Sequence, residues 1–165
     1  MPMSDLQKST AARLGLLLKE KKLCCATAES CTGGLIGAAL TDIPGSSAWY
    51  RGGVISYANE AKIRLLGVSG AILATRGAVS EEVALAMARG ACGALGADVA
   101  LASTGIAGPD GGSVAKPVGT VWLGWALRGG HHARLFHFSG DRAAIRAQAV
   151  EAALSGLLAL LANES

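Results

Sequence analysis

The segment "TVWLGWALRGGHHARLFHF", Thr120 to Phe138, decides what kind of sheet this chain can build. Two runs rich in aliphatic, β-branched and aromatic residues flank a glycine turn, the pattern of an antiparallel hairpin. A sheet that contains it cannot be purely parallel. Upstream, strands alternate with helices, as parallel strands joined by crossovers do. "LCCATAES" (23–30) reads as a buried strand and "CTGGLIGAALTD" (31–42) as the helix after it. "GGVISYA" (52–58) precedes "NEAKIRLLG" (59–67), with Asn59 as the expected N-cap and Gly67 as the stop. Ser80 caps a helix with Val83, Ala84, Met87, Ala91 and Leu95 on one face, and "ADVALASTGIAG" (97–108) is the strand that follows. Ser4 caps an opening helix whose apolar stripe is Leu6, Ala11, Leu14, Leu17 and Leu18. Asp141 caps a closing helix with Ile145, Val150, Leu154, Leu157, Leu158 and Leu161 buried. The expected fold is α/β: a three-layer α/β/α sandwich with a mixed β-sheet, one domain over residues 1–165. Residues 68–79 are left unassigned.

Composition narrows the function classes. Half the residues are apolar (51%) and only 16% are charged, which excludes intrinsic disorder. With 23 glycines and 4% aromatic residues, the interior should pack small side chains at short range. A net charge of +3 is too small and dispersed for a row of phosphate contacts, so no nucleic-acid partner is expected. Cys24, Cys25, Cys31 and Cys92 lack zinc or C-x-x-C spacing and read as free thiols in a reducing cytoplasm. His131, His132 and His137 lack ligand spacing, so no metal is expected. The amino terminus has no apolar signal region, and no uninterrupted apolar run reaches the roughly 18 to 20 residues of a membrane span.

Three polar clusters each follow a short apolar strand: "AESCTGG", "SYANEAK" and "STGIAGPDGG". Ligands of layered α/β proteins bind beyond the carboxyl ends of strands, so the three converge on one site if their strands are parallel neighbours. Ser30 lies where a hydroxyl is either the helix N-cap or a nucleophile beside unpaired N–H groups; Thr32 in the cap would leave Ser30 free. The flanks are not G-x-S-x-G and no His–acid pair is evident, so a base other than histidine is required. Lys62 is the candidate. At the third helical position the helix dipole lowers its pKa by less than about one unit. Bringing it from about 10.4 to the 7–8 useful in a base requires burial. The plain alternative is a surface lysine near Glu60. The Tyr57 phenol can bridge Ser30 and Lys62, face a cationic substrate, or sit half buried with its hydroxyl in water. Thr104 can offer a hydroxyl and an N–H to the reacting centre, or begin a turn. The loop after it matches no nucleotide fingerprint, yet its glycines permit close backbone approach. Arg142 and Arg146 lie in the first turns of the last helix, where cations are disfavoured unless a phosphate or a nearby acid compensates them.

Taken in order, "TAESCTGG", "GSSAWYRGGVISYANEAKIRLLGV", "GAVSEEVALAMARGA", "STGIAGPDGG" and "KPVGTVW" closely resemble the CinA C-terminal domain family, from about Leu6 to Leu161. The characterised activity of that family is nicotinamide-nucleotide amidohydrolase, or NMN deamidase. The resemblance implies hydrolysis of nicotinamide mononucleotide to nicotinate mononucleotide and ammonia without a cofactor. It implies a nucleophile at Ser30, with Tyr57, Lys62 and Thr104 completing the catalytic set. Substrate binding would fall to Thr32 and Gly33 at the helix start, Gly105 and Gly108 in the glycine loop, and Arg142 at the phosphate. It further suggests the free-standing kind of domain; the lack of a signal region points to the cytoplasm, and a homo-oligomer, a dimer, is expected. The alternatives from other classes are a non-catalytic module with competence or DNA-repair partners, and a nucleotide-binding regulator.

Overall fold

The structure, a computed structural model, describes residues 2–164. Along the chain run α1 (Asp5–Glu20), β1 (Cys25–Glu29), α2 (Leu35–Thr41), a 3-10 turn (Ser46–Ala48), β2 (Tyr50–Ile55), α3 (Asn59–Leu66), α4 (Gly70–Arg76), α5 (Glu81–Leu95), β3 (Val99–Gly105), β4 (Thr120–Leu127), β5 (Gly130–His137) and α6 (Arg142–Asn163). One sheet has the order β2-β1-β3-β4-β5. The first three strands are parallel, while β4 and β5 form the antiparallel hairpin that makes the sheet mixed.

Alternation along the strands divides the core into two. Cys25, Leu101 and Leu123 face a layer built from α1, α2 and α6, with Leu14, Leu18, Ile36, Leu40, Leu154 and Leu157 fully buried. Ala26, Ala28, Ala100 and Ala102 face α3, α4 and α5, where Leu66, Leu73, Val83 and Met87 complete the packing. Each buried leucine is worth about 1.5–3 kcal/mol relative to an exposed one. Small residues let the second layer approach: a Cβ at Gly124 of β4 would come within 2.8 Å of the Ala84 carbonyl carbon in α5. Likewise, a Cβ at Gly90 of α5 would come within 2.8 and 2.9 Å of the Leu66 carbonyl carbon and Cα. The abundance of glycine and alanine is thus a packing requirement of this layer.

The caps at Ser4, Ser80 and Asp141 form as the sequence indicates, each side chain accepting an N–H from the first turn. Three details differ. Leu6 is 63% exposed, because Gln7 and Thr10 take its place against α6, donating to the Ala147 carbonyl and the Glu151 carboxylate. Leu17 and Leu158 are only partly buried. Part of the unassigned stretch forms α4, capped by Ser69. By length and composition α6 resembles a membrane span, but its apolar stripe of Ile145, Val150, Leu154, Leu157 and Leu161 packs into the core.

Candidate active site

The parallel pairing of β2, β1 and β3 brings the three polar clusters to one end of the sheet. The ladder continues one residue past β1: Ser30 N–H donates to Ser103 O at 2.9 Å, and Ser56 N–H donates to Glu29 O at 2.8 Å. Side chains alternate across a strand, so Glu29 and Ser30 leave on opposite faces. Glu29 goes to the α2 side and Ser30 to the α3 side.

Glu29 is 1% exposed, and its carboxylate accepts from Gly34 N–H (3.0 Å), Ile36 N–H (3.0 Å), Gly37 N–H (2.8 Å) and the Thr32 hydroxyl (2.6 Å). It thereby caps α2 from below. The formal N-cap is Gly34, in a left-handed conformation (φ 103°) that a side chain would strain. Two expectations are corrected here. Neither Ser30 nor Thr32 caps the helix. Thr32 is fully buried, its hydroxyl held between Glu29 and Ser103 Oγ (2.7 Å), and it is not among the residues lining the cavity. The N–H groups of the α2 start are already matched to the protein's own carboxylate and are not free to hold an oxyanion or a phosphate.

On the other face, Ser30 meets Lys62. Ala58, not Asn59, is the N-cap residue of α3, so Lys62 is the fourth residue of the helix. Helical side chains lean toward the N-terminus, which carries the ammonium group back past the first turn. There Nζ lies 3.0 Å from Ser30 Oγ, 2.6 Å from Ser56 O and 3.4 Å from Tyr57 O. Lys62 is 1% exposed. Its pKa is lowered from the ordinary lysine value by desolvation, with neighbouring Cys31 acting in the opposite sense. The Cys31 thiol itself is pushed up to about 11, chiefly by burial, and so stays protonated.

Tyr57 differs from the expected bridge. It is 63% exposed, and its hydroxyl accepts from Arg142 Nη2 at 3.1 Å, so the backbone carbonyl rather than the phenol approaches Lys62. Arg142 also donates through Nη1 to Gly108 O at 2.8 Å. The position of Arg142 on the first turn of α6 is thus stabilised by a carbonyl and a phenol. Thr104 is buried and donates its hydroxyl to Ala78 O at 2.8 Å. A cavity of about 190 Å³ is lined by Ser30, Lys62, Tyr57, Thr104, Gly105 and Arg142, together with Cys31, Asn59, Ala78, Val79 and Ala107. Gly108 contributes through its carbonyl, whereas Gly33, another expected binder, is exposed in a left-handed turn and is not part of the lining. Among the described residues no three His, Cys, Asp or Glu side chains group as metal ligands.

Two further residues contribute in ways the sequence pattern did not indicate. Arg146, one turn after Arg142, donates Nε to Cys31 O (3.1 Å) and Nη2 to Thr32 O (3.2 Å), bracing the turn that follows Ser30. The cationic oddity at the start of α6 was the available signal. Asn59, expected as a cap, lines the cavity instead.

Comparison with known proteins places the chain. It is 57% identical over 141 residues to a CinA-like protein of Geobacter sulfurreducens, covering 86% of this chain but only 34% of that protein. It is 53% identical over 154 residues to nicotinamide-nucleotide amidohydrolase PncC of Pseudomonas putida, covering 91% of this chain and 94% of the relative. The fold superposes with a TM-score of 0.94, at 43% identity, on the crystal structure of competence/damage inducible protein CihA from Agrobacterium tumefaciens, covering 97% of this chain and 98% of the other. The sequence model of the CinA C-terminal domain matches residues 7–161. On these matches, and on a mixed sheet with its polar clusters gathered at one end, the chain belongs to the CinA C-terminal domain family.

Proposed function

We propose that this protein hydrolyses the carboxamide of nicotinamide mononucleotide, giving nicotinate mononucleotide and ammonia, with Ser30 as nucleophile and Lys62 as base. The observation that carries the reading is a buried amine 3.0 Å from a serine hydroxyl at the head of a cavity. The kinship with a nicotinamide-nucleotide amidohydrolase, over nearly the full length of both chains, supports the choice of substrate.

The arrangement suits a neutral amine. Two N–H bonds of Nζ point to Ser56 O and Tyr57 O, which leaves the lone pair for the Ser30 O–H. Ser30 Oγ attacks the amide carbon as its proton passes to Nζ, and the tetrahedral intermediate forms with charge on the former carbonyl oxygen. The Cys31 N–H, adjacent to the nucleophile, donates to no backbone carbonyl among the described residues and is our choice of oxyanion donor. The ammonium of Lys62 then protonates the departing nitrogen as the C–N bond breaks. Water, deprotonated by the same amine, cleaves the acyl-serine and regenerates both groups. Cys31 does not compete as a nucleophile, because its thiol is protonated well above neutrality.

At about 190 Å³ the cavity admits the nicotinamide end and leaves the ribose phosphate across its mouth. We assign the phosphate to Arg142, and the positively charged ring to the exposed face of Tyr57. Thr104 and Gly105 shape the wall, and Gly108 holds Arg142 through its carbonyl. We place the reaction in the cytoplasm, where four unpaired cysteines suit reducing conditions. We assign a homodimer to the solution state; the β2 edge, with Ile55 56% exposed, is open to a partner.

Ammonia release from nicotinamide mononucleotide tests the reading. Wild type should release it, while Ser30→Ala and Lys62→Met should lose at least about a thousandfold in kcat, as removal of members of a catalytic unit does. The wild-type rate should rise with pH and level off above the lowered lysine pKa, because the neutral amine is the active form. Equal release by wild type and Ser30→Ala, or none by either, overturns the assignment. Ligand binding without turnover would mark a regulator instead.

A further inference from the structure

Among the described residues, most polar side chains on the cavity wall are engaged by the fold. Ser30 is held by Lys62, Lys62 by two carbonyls, Thr104 by Ala78 O, and Tyr57 and Arg142 by each other. Cys31 is a buried thiol that burial keeps protonated. Asn59 is different: it is exposed at the cavity wall, among the described residues its carboxamide has no hydrogen-bond partner, and the start of α3 has no side-chain cap for it to serve. It is the first residue of α3, three before Lys62 and so on the same side of the helix, with Cβ atoms about 5–6 Å apart. The lysine leans back toward this end of the helix to reach Ser56 and Tyr57. Asn59 and the base therefore line the same cavity from one side of α3.

Resting on the amidase reading above, we propose that Asn59 is a specificity residue that recognises the leaving –NH₂ of the substrate. A side-chain amide presents both a donor and an acceptor, so it matches a primary carboxamide, which presents the same two. Its Oδ1 accepts an N–H of the scissile amide. That contact turns the nitrogen lone pair, which develops as the tetrahedral centre forms, toward the Lys62 ammonium that must protonate it. An ester of the same nucleotide has no N–H to offer and gains nothing from Oδ1.

The test compares two substrates, nicotinamide mononucleotide and the methyl ester of nicotinate mononucleotide, for wild type, Asn59→Ala and Asn59→Asp. Asn59→Ala should lose about tenfold or more in kcat/KM for the amide, the size of one hydrogen bond, while ester hydrolysis holds within about twofold. Asn59→Asp keeps an acceptor and should recover part of the amide rate. A purely structural role would depress both substrates together, and a solvated bystander would change neither; either result overturns the proposal. Should wild type hydrolyse neither substrate, the amidase reading fails first, and the two failures are thereby distinguished.

Discussion

Replacing Gly90 by alanine should impair catalysis from outside the cavity. Gly90 lies in α5 where the end of α3 crosses it, and an added Cβ would overlap the Leu66 carbonyl oxygen. To carry the carbonyl carbon from 2.8 Å to the 3.4 Å at which ordinary contact begins, α3 must move by about 0.6 Å, and by more to clear the oxygen. Backbone cannot rotate aside as a side chain can, so the displacement passes along α3 to Lys62, one turn before Leu66. A misplacement of about 1 Å between reacting groups costs on the order of a hundredfold in rate. Stability responds to opposed effects: alanine in place of glycine favours the helix by about 0.8–1 kcal/mol, whereas overpacking costs about 1–3 kcal/mol. The overlap involves rigid atoms, so the second should win. We expect a lower Tm together with a loss of kcat between about tenfold and a hundredfold, read by thermal unfolding and a coupled ammonia assay. Gly93, three residues on, has nothing within 4 Å of its would-be Cβ. Gly93→Ala should raise stability by up to about 1 kcal/mol and leave kcat alone. A Gly90→Ala protein with full activity and a raised Tm would refute the claim that this crossing fixes the lysine.

The remaining predictions concern the two buried charged side chains. Lys62 is protonated in the unfolded chain at neutral pH but has a lowered pKa when folded, so burying it opposes folding. The penalty is complete below the folded pKa and disappears as pH rises past the unfolded value of 10.5. Lys62→Met should therefore be more stable than wild type near neutrality, by a margin that shrinks toward alkaline pH; urea titrations whose difference is flat or grows with pH would contradict this. Glu29→Gln should destabilise by about 2–4 kcal/mol, because the new amide N–H faces backbone N–H groups that now donate to a carboxylate. An unchanged urea midpoint would show that the carboxylate is not what holds the start of α2.

Much of this site was legible in the sequence because strand ends are. The alternation of apolar runs with helices located the ends of β1, β2 and β3, and their parallel pairing brought Ser30, Lys62 and Thr104 together as the order of clusters implied. The sequence made burial the condition for Lys62 to serve as a base, and the side chain is buried. What the pattern could not convey is the path of the backbone between elements. Gly33 and Gly34 adopt left-handed turns that postpone α2 to Leu35 and swing its N–H groups onto Glu29, giving a structural task to the acid of a motif read for its serine. A shift of one residue at the start of α3 freed Asn59. Tyr57, set on the loop after β2, turns outward to Arg142, a partner 85 residues away that no local pattern identifies. Leu6 fits a helical stripe yet is exposed, because the contact with α6 there is made by the polar residues Gln7 and Thr10.

The antiparallel hairpin has a practical consequence. Because β4 runs against β3, its connection to β5 at Arg128 and Gly129 emerges from the end of the molecule opposite Ser30 and Lys62, with both residues exposed. A fluorophore, an affinity handle or a surface tether inserted at this tip would hang from the blunt end of the enzyme, leaving substrate free to come and go at the other.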